Sequence, residues 1–115
     1  MKRVSVRLHI YNNGDVSLRD GKDSIIIEHD IVPAMLRALE KVINGESTEE
    51  KIYHWPVVHT ITRKEENITI SEWVWDDSSQ EEWSWWVDMS MADAKYVMKK
   101  IRKWYKIEYK GGENE

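Results

Sequence analysis

The sequence predicts a single α+β domain, an antiparallel β-sheet with two helices packed on one face, in the order β-β-β-α-β-β-β-α. Residues 2–11 and 55–88 alternate apolar and polar side chains, which is the period of strands. Residues 31–43 and 90–106 repeat apolar side chains at helical spacing. The length of 115 residues is enough for one core. We expect the domain to span residues 1–110, with a frayed tail at 111–115.

Composition excludes several classes of protein. The chain has no cysteine, which excludes disulfides and thiolate chemistry. No segment approaches the ~18 apolar residues of a membrane span, and the charged N-terminus lacks the apolar stretch of a signal peptide. We therefore expect a cytoplasmic protein with no membrane partner. One third of the residues are charged, a composition that favours a thermophilic source.

The charges are unevenly distributed along the chain. The formal net charge of −4 argues against a uniformly basic nucleic-acid binder. Residues 95–110, however, hold seven basic side chains and one acidic side chain. The acids gather at 46–50, 65–66 and 76–82. Such a bipolar surface can still bind a polyanion at its basic end.

The first strand group contains two turns. Asn12-Asn13-Gly14 is a strong hairpin signal, and a three-residue loop there pairs Ile10 with Val16. The same register sets Arg7 opposite Arg19 on the other face. Like charges paired across strands are unfavourable without an anion or a carboxylate partner, so these two arginines are candidates for phosphate contacts.

Both helices have recognisable ends. Asp30 is the expected N-cap of the first helix, and Gly45 is its expected C-terminal residue in the left-handed conformation. Ser90 is the expected N-cap of the last helix, with Asp93 three residues later. Residues 46–54 are expected to form a charged connection.

The chain is organised around residues 73–86, which hold five of its seven tryptophans. A polar segment separates two runs of tryptophan, so we expect a β-hairpin. A turn centred on Ser79 sets Trp75 opposite Trp83 and Trp73 opposite Trp85. All four indoles then share one face of the sheet. The strands expected in this group span 55–63, 67–76 and 82–88.

This tryptophan face has two interpretations from different functional classes. Trp73, Trp75, Trp83 and Trp85, with Trp55 at the sheet margin, form a platform on which bases of a single strand stack without sequence readout. Alternatively, the domain is a protein–protein interaction module whose tryptophan face is an oligomer or partner interface, because tryptophan is enriched at interface hot spots. The acidic turn repels phosphates, so a bound strand is expected to cross nearer Trp73 and Trp85.

Two basic surfaces are candidates for phosphate contacts. One is the Arg7 and Arg19 pair. The other is the outer stripe of the last helix, whose ordinary interpretation is a solvated face. Its candidate residues are Lys99, Arg102, Lys103 and Lys106.

Signals for catalysis are weak, and we expect neither an enzyme nor a cofactor. No phosphate-binding loop, nucleophile elbow or zinc-protease motif is present. His59, expected opposite Glu72, fits a paired structural histidine. A nuclease that holds Mg²⁺ through acids such as Asp76 and Asp88 is a third hypothesis.

These features together resemble the archaeal ThermoDBP group of single-stranded DNA-binding proteins, and more closely the ThermoDBP-related proteins. The resemblance covers most of residues 1–110 and rests on layout: a small α+β domain, an aromatic-rich sheet face and no cysteine. It implies sequence-tolerant binding of single-stranded DNA or RNA in an aromatic cleft, in a homodimer or homotetramer, without a cofactor. The matching positions are Trp73, Trp75, Trp83, Trp85 and Trp55. The coiled-coil extension of full ThermoDBPs has no counterpart in this sequence.

Overall fold

The computed structural model describes residues 6–108, and side chains over residues 6–106. Within this part of the chain, strands and helices follow the predicted α+β succession of strand group, helix, strand group, helix. The strands are β1 (Arg7–Ile10), β2 (Val16–Arg19), β3 (Ser24–Ile27), β4 (Glu49–His54), β5 (Val57–Lys64), β6 (Asn67–Asp76) and β7 (Glu81–Ser90). The helices are α1 (Val32–Ile43), preceded by a 3₁₀ turn at His29–Ile31, and α2 (Met91–Glu108). The predicted tail at 111–115 lies outside the described residues.

The described strands form two antiparallel sheets. The small sheet has the order β1-β2-β3, and the large sheet has the order β4-β5-β6-β7. Most predicted registers are confirmed. Ile10 pairs with Val16, and Arg7 stands opposite Arg19. His59 likewise stands opposite Glu72 in the large sheet.

Strand β4 lies in the segment that the sequence analysis expected to be a charged connection. Among the described strands it lies at the edge of the large sheet and pairs with β5 alone. Its inward positions carry Glu50, Ile52 and His54, so a single aliphatic side chain faces the protein interior. Charged residues on an edge strand protect it from pairing with other chains. The same charges remove the apolar alternation by which sequence analysis detects a strand.

One apolar core joins both sheets and both helices. Helix α1 contacts β4 and β5, helix α2 contacts β6 and β7, and the two helices contact each other. We call the large-sheet face that contributes to this core the inner face, and the opposite one the outer face. The inner face buries side chains near the α2 end of β7. They are Ile61, Ile68, Ile70, Val87 and Met89.

The helix ends agree with the sequence at two of three points. The backbone N–H of Asp93 donates to Ser90 Oγ at 3.1 Å, as the predicted N-cap requires. Gly45 has φ +82°, the left-handed conformation expected after α1. The prediction that Asp30 caps α1 was wrong, because the 3₁₀ turn places Ile31 at that position without a side-chain cap. No helix in the described range 6–108 is long and apolar enough to cross a membrane.

Strand β3 crosses the inner face of the large sheet. The backbone N–H of Ile26 donates to Glu72 Oε1 at 3.0 Å. The Ile26 carbonyl lies 3.2 Å from His59 Nε2 and accepts its hydrogen bond when that nitrogen carries the proton. These two side chains satisfy the open edge of β3 as a neighbouring strand would.

The turn before β3 covers the edge of β7. The Asp23 carboxylate accepts from the backbone N–H of Trp86 at 3.2 Å, and the Asp20 carboxylate accepts from the N–H of Asp88 at 3.0 Å. Beyond the other end of β3, His54 of β4 lies 3.7 Å from a carboxylate oxygen of Glu28. The small sheet therefore meets the large one along a line from β7 to β4.

We predict that Asp20→Asn weakens the joint between the turn and β7. Partial burial acts to raise the pKa of Asp20, but hydrogen bonds from the backbone N–H groups of Asp23, Asp88 and Lys22 hold it below its ordinary value of 3.8. A carboxyl group with a lowered pKa contributes stability above the unfolded pKa, and this contribution is lost as pH falls through the folded value. Urea unfolding should show a loss of about 1 kcal/mol at pH 7 that disappears in strong acid.

The matched control for this experiment is Glu46→Gln, an exposed carboxylate after α1. It should change neither the stability nor its pH dependence. A loss of stability in Asp20→Asn that stays equal at all pH values would contradict the role of the charge.

Candidate nucleic-acid interface

The tryptophan hairpin has a register one residue away from the prediction. Its turn spans the four residues 77–80, so Trp75 pairs with Glu82 and Trp73 with Ser84. The predicted register required a five-residue turn. Gln80 takes φ +59°, and its side-chain amide donates to the Asp77 carbonyl at 2.8 Å, which closes the shorter turn.

A one-residue shift moves every side chain of a strand to the other face. The prediction that Trp73, Trp75, Trp83 and Trp85 share one face was therefore wrong. Trp83, opposite Val74, and Trp85, opposite Glu72, lie on the inner face. The outer face carries Trp73 and Trp75, joined by Trp86 from β7.

The inner-face pair is open to solvent. Trp83 is 49% exposed and Trp85 is 36% exposed, although Val87 and Met89 on the same face of β7 are buried in the core. The core stops short of the two tryptophans because β3 crosses the sheet at Glu72. We call the part of the inner face between β3 and the hairpin turn the distal face. Its apolar side chains are Val57, Val74, Trp83 and Trp85.

The outer face presents aromatic side chains, and two of its indole N–H groups donate to acidic side chains. Trp55 packs beside Trp73, with ring centroids 5.9 Å apart and planes inclined by 46°. The indole N–H of Trp73 donates to the Glu82 carboxylate, and that of Trp75 donates to Asp77 at 3.3 Å. These carboxylates make the outer face less suitable for phosphates.

The small sheet turns its arginines towards the distal face. Ile25 and Ile27 of β3 point into the core, so the alternate face of this sheet points to the other side of the crossing. That alternate face carries Arg7, His9 and Arg19. With strands ~4.8 Å apart, Arg19 on β2 stands ~5 Å and Arg7 on β1 ~10 Å from β3.

By this alternation, the arginine-bearing face of the small sheet and the distal face of the large sheet lie on the same side of the β3 crossing. We call the pair the arginine cleft. Its wall consists of Arg7, His9 and Arg19, and its floor of Val57, Val74, Trp83 and Trp85.

The basic residues of α2 lie away from this cleft. Their side chains are exposed, opposite a stripe of α2 that is buried in the core. The helix joins that core on the side of the small sheet that carries Ile25 and Ile27, whereas the arginines lie on the other side. Arg102 also makes an ion pair with Glu40 at 2.6 Å. The structure therefore does not bring Lys99, Arg102, Lys103 and Lys106 together with the tryptophans of the hairpin.

The acids suggested for a nuclease are also separated. Asp76 lies on the inner face and Asp88 on the outer face, where Thr69 Oγ1 donates to the Asp88 carboxylate at 2.6 Å. A single Mg²⁺ site using both is excluded by their opposite orientation.

A different group of possible metal ligands was missed by the sequence analysis. Carboxylate oxygens of Glu28 and Asp30 and a ring nitrogen of His54 lie within 4.8 Å of one another. No local sequence pattern associates them, because His54 belongs to β4, which was not predicted. All three side chains are at least partly exposed, and ion pairs account for their proximity.

Two solved structures have the same fold as this chain. A structure described as a guide-RNA-binding protein complex bound to a guide RNA aligns with TM-score 0.56 and 14% identity, over 99% of this chain and 88% of that one. The MRP1/MRP2 crystal structures from Trypanosoma brucei align with TM-score 0.55 and 12% identity, over 93% of this chain and 84% of that one. Neither a family model nor a curated protein matches the sequence.

We predict that an engineered disulfide distinguishes the observed register of the tryptophan hairpin from the register predicted from the sequence. Ser71 and Trp86 are directly opposed, and the Trp86 N–H points away from β6 and donates to Asp23, so the two form a non-hydrogen-bonded pair whose side chains approach closely. Because the chain has no cysteine, Ser71→Cys combined with Trp86→Cys should oxidise to an intramolecular bond. Titration of free thiols would measure it. Ser71→Cys with Trp85→Cys, on opposite faces, should keep two free thiols, and the reverse result would contradict the register.

Proposed function

We propose that this protein binds single-stranded nucleic acid in the arginine cleft without reading its sequence. Two observations carry the proposal: Trp83 and Trp85 are exposed, and on the same side of the β3 crossing Arg7 and Arg19 are opposed without an ion pair among the described residues. Bases would stack on Trp83 and Trp85, and phosphates would lie against Arg7 and Arg19. The proposed function is the one expected from the sequence, but the stacking surface is now the inner face of the hairpin, with Trp83 and Trp85 and without Trp73 and Trp75.

The floor suits the faces of bases. Trp83 and Trp85 alternate along one strand, so their Cα atoms stand about 7 Å apart on the same face. Each base that stacks on an aromatic side chain contributes ~1–3 kcal/mol, and every base has a face that can do so. Duplexes keep these faces covered by neighbouring base pairs, so the cleft should favour single strands.

The wall suits phosphates. Arg7 and Arg19 are directly opposed and exposed, and neither makes an ion pair within the described residues. Two guanidinium groups at this spacing repel each other, and an anion between them removes that cost. Arginine also binds phosphate oxygens through two parallel hydrogen bonds. The net charge of −4 is therefore compatible with local attraction.

The two structures of similar fold support the nucleic-acid class. One is bound to a guide RNA, and RNA is therefore the first ligand to test beside DNA. The same structure is described as a complex, which is compatible with the expected homo-oligomer. Membership in the ThermoDBP-related group and a non-enzymatic role remain predictions.

An interaction module is the second candidate, and the outer face favours it. Tyr53, Trp55 and Trp86 are more than half exposed there, yet they take no part in the arginine cleft. Such an aromatic surface is typical of a protein interface.

We predict that Trp83→Leu and Trp85→Leu each weaken binding of a single strand about tenfold, because each removes one stacked base. Fluorescence anisotropy of labelled RNA and DNA oligonucleotides would measure the dissociation constants. Trp86→Leu is the matched control, since it lies on the same strand but on the outer face. If Trp86→Leu weakened binding and the other two variants did not, the outer face would be the binding surface.

We predict that the wall accounts for most of the salt dependence. Arg7→Ala with Arg19→Ala should reduce the slope of log affinity against log salt concentration by about 1.4, since each phosphate contact to a single strand contributes ~0.7. Lys99→Ala with Lys103→Ala on α2 is the control with the same change in charge. An equal reduction of the slope in both variants would indicate that α2 also holds the strand.

A further inference from the structure

The end of the large sheet near the hairpin turn has a notch. Strand β5 begins at Val57, whereas its neighbour β6 continues to Asp76. The turn at Trp55 and Pro56 closes this gap, held by a hydrogen bond of 2.9 Å from the Trp75 N–H to the Pro56 carbonyl. Because the sheet stops there, side chains from both of its faces reach the same space.

That space is a cavity of about 570 Å³ lined by three indoles and two carboxylates. The indoles come from Trp55 in the turn, Trp75 on the outer face and Trp83 on the inner face. The carboxylates belong to Asp76 and Asp77 at the start of the hairpin turn. Nothing in the arginine cleft uses Trp55, Trp75 or these acids.

The lining of the notch is complementary to a cation. The face of an indole carries a negative potential, and several aromatic faces around one space attract a positive group. Hydrogen bonds from Ser78, and then from Ser79, hold the pKa of Asp76 below its usual value, so this group is anionic at neutral pH. The indole N–H of Trp75 is oriented towards Asp77, which leaves the ring faces for a ligand. A phosphate would be repelled by the same groups.

We propose that the notch binds an alkylated ammonium group, such as the head of choline or a trimethylated lysine side chain. A bare ammonium ion is strongly hydrated and gains little from apolar walls. Alkyl groups on the nitrogen spread the charge and make contact with the indole rings, which is why aromatic cages select such ligands. Trp55 is 70% exposed, so its ring is accessible to the ligand.

Choline and 3,3-dimethyl-1-butanol provide the decisive pair of probes, because they have the same shape and differ in charge. Titration followed by NMR of the indole N–H groups should show choline shifting the Trp55 and Trp75 signals. Choline should bind at least about tenfold more tightly than the neutral alcohol. Equal binding of the two probes, or no shift of these signals throughout the millimolar range, would overturn the proposal.

Three variants locate the site. Trp75→Leu should weaken choline binding about tenfold, and Asp76→Asn with Asp77→Asn should weaken it several-fold while leaving the alcohol unaffected. Trp86→Leu, on the same hairpin but outside the notch, is the control and should bind choline as the native protein does. Equal weakening in Trp86→Leu would overturn the location. If Trp75→Leu fails to fold, the double Asp variant still decides the outcome.

Two further measurements are needed. One identifies the source of the alkylated ammonium group, and the other distinguishes the notch from the arginine cleft. Comparing choline with free trimethyl-lysine distinguishes a small-molecule head group from a modified side chain. Trp83 lines both the notch and the arginine cleft, whereas Trp75 lines only the notch. Trp75→Leu should therefore keep its affinity for single-stranded nucleic acid while it loses choline, so failure of one function is distinguishable from failure of the other.

Discussion

The backbone of Ile26 determines how the two sheets meet, and the rest of the structure depends on it. Its N–H and carbonyl lie at the edge of β3, where no strand can pair with them, and Glu72 and His59 supply the missing partners. His59 is 1% exposed, and its Nδ1 has no hydrogen-bond partner among the described residues. Its Nε2 lies 3.2 Å from the Ile26 carbonyl and 3.7 Å from the Glu72 carboxylate, so this one ring nitrogen contacts both parts of the joint.

This joint also creates the surfaces on which function is proposed. Because β3 crosses the large sheet at Glu72, it divides the inner face into a part buried under the helices and a part open to solvent. The small sheet stands up from that line, with isoleucines on one side and arginines on the other. If the small sheet lay flat on the large sheet, it would bury the open part of the inner face. The arginine cleft is thus a consequence of an edge contact between sheets.

The sequence predicted most of the fold because local patterns were unambiguous there. Around Ile10 and Val16, only one register keeps apolar side chains on a common face. In β7 the sequence cannot choose a register, because Trp83 and Trp85 lie on one face and Trp86 on the other, so either face satisfies the pattern. The four-residue turn and Gln80 determine the register of β7, and these polar residues contribute nothing to the hydrophobic pattern of the sequence. The placement of the arginine face beside the distal face depends on contacts between distant strands, such as that of Ile26 with Glu72, and no local pattern encodes it.

The carboxylates that cover the edge of β7 have a consequence for behaviour at high concentration. A strand rich in exposed tryptophan, with free backbone groups along one side, is a template for sheet growth between molecules. Asp20 and Asp23 occupy the amides of Asp88 and Trp86, so an incoming strand would have to displace charged groups that are already bonded. The edge of β7 beside Trp86 and Asp88 is thus protected from pairing with other copies of the chain. The short turn that begins β3 therefore also limits strand pairing between molecules along this part of β7.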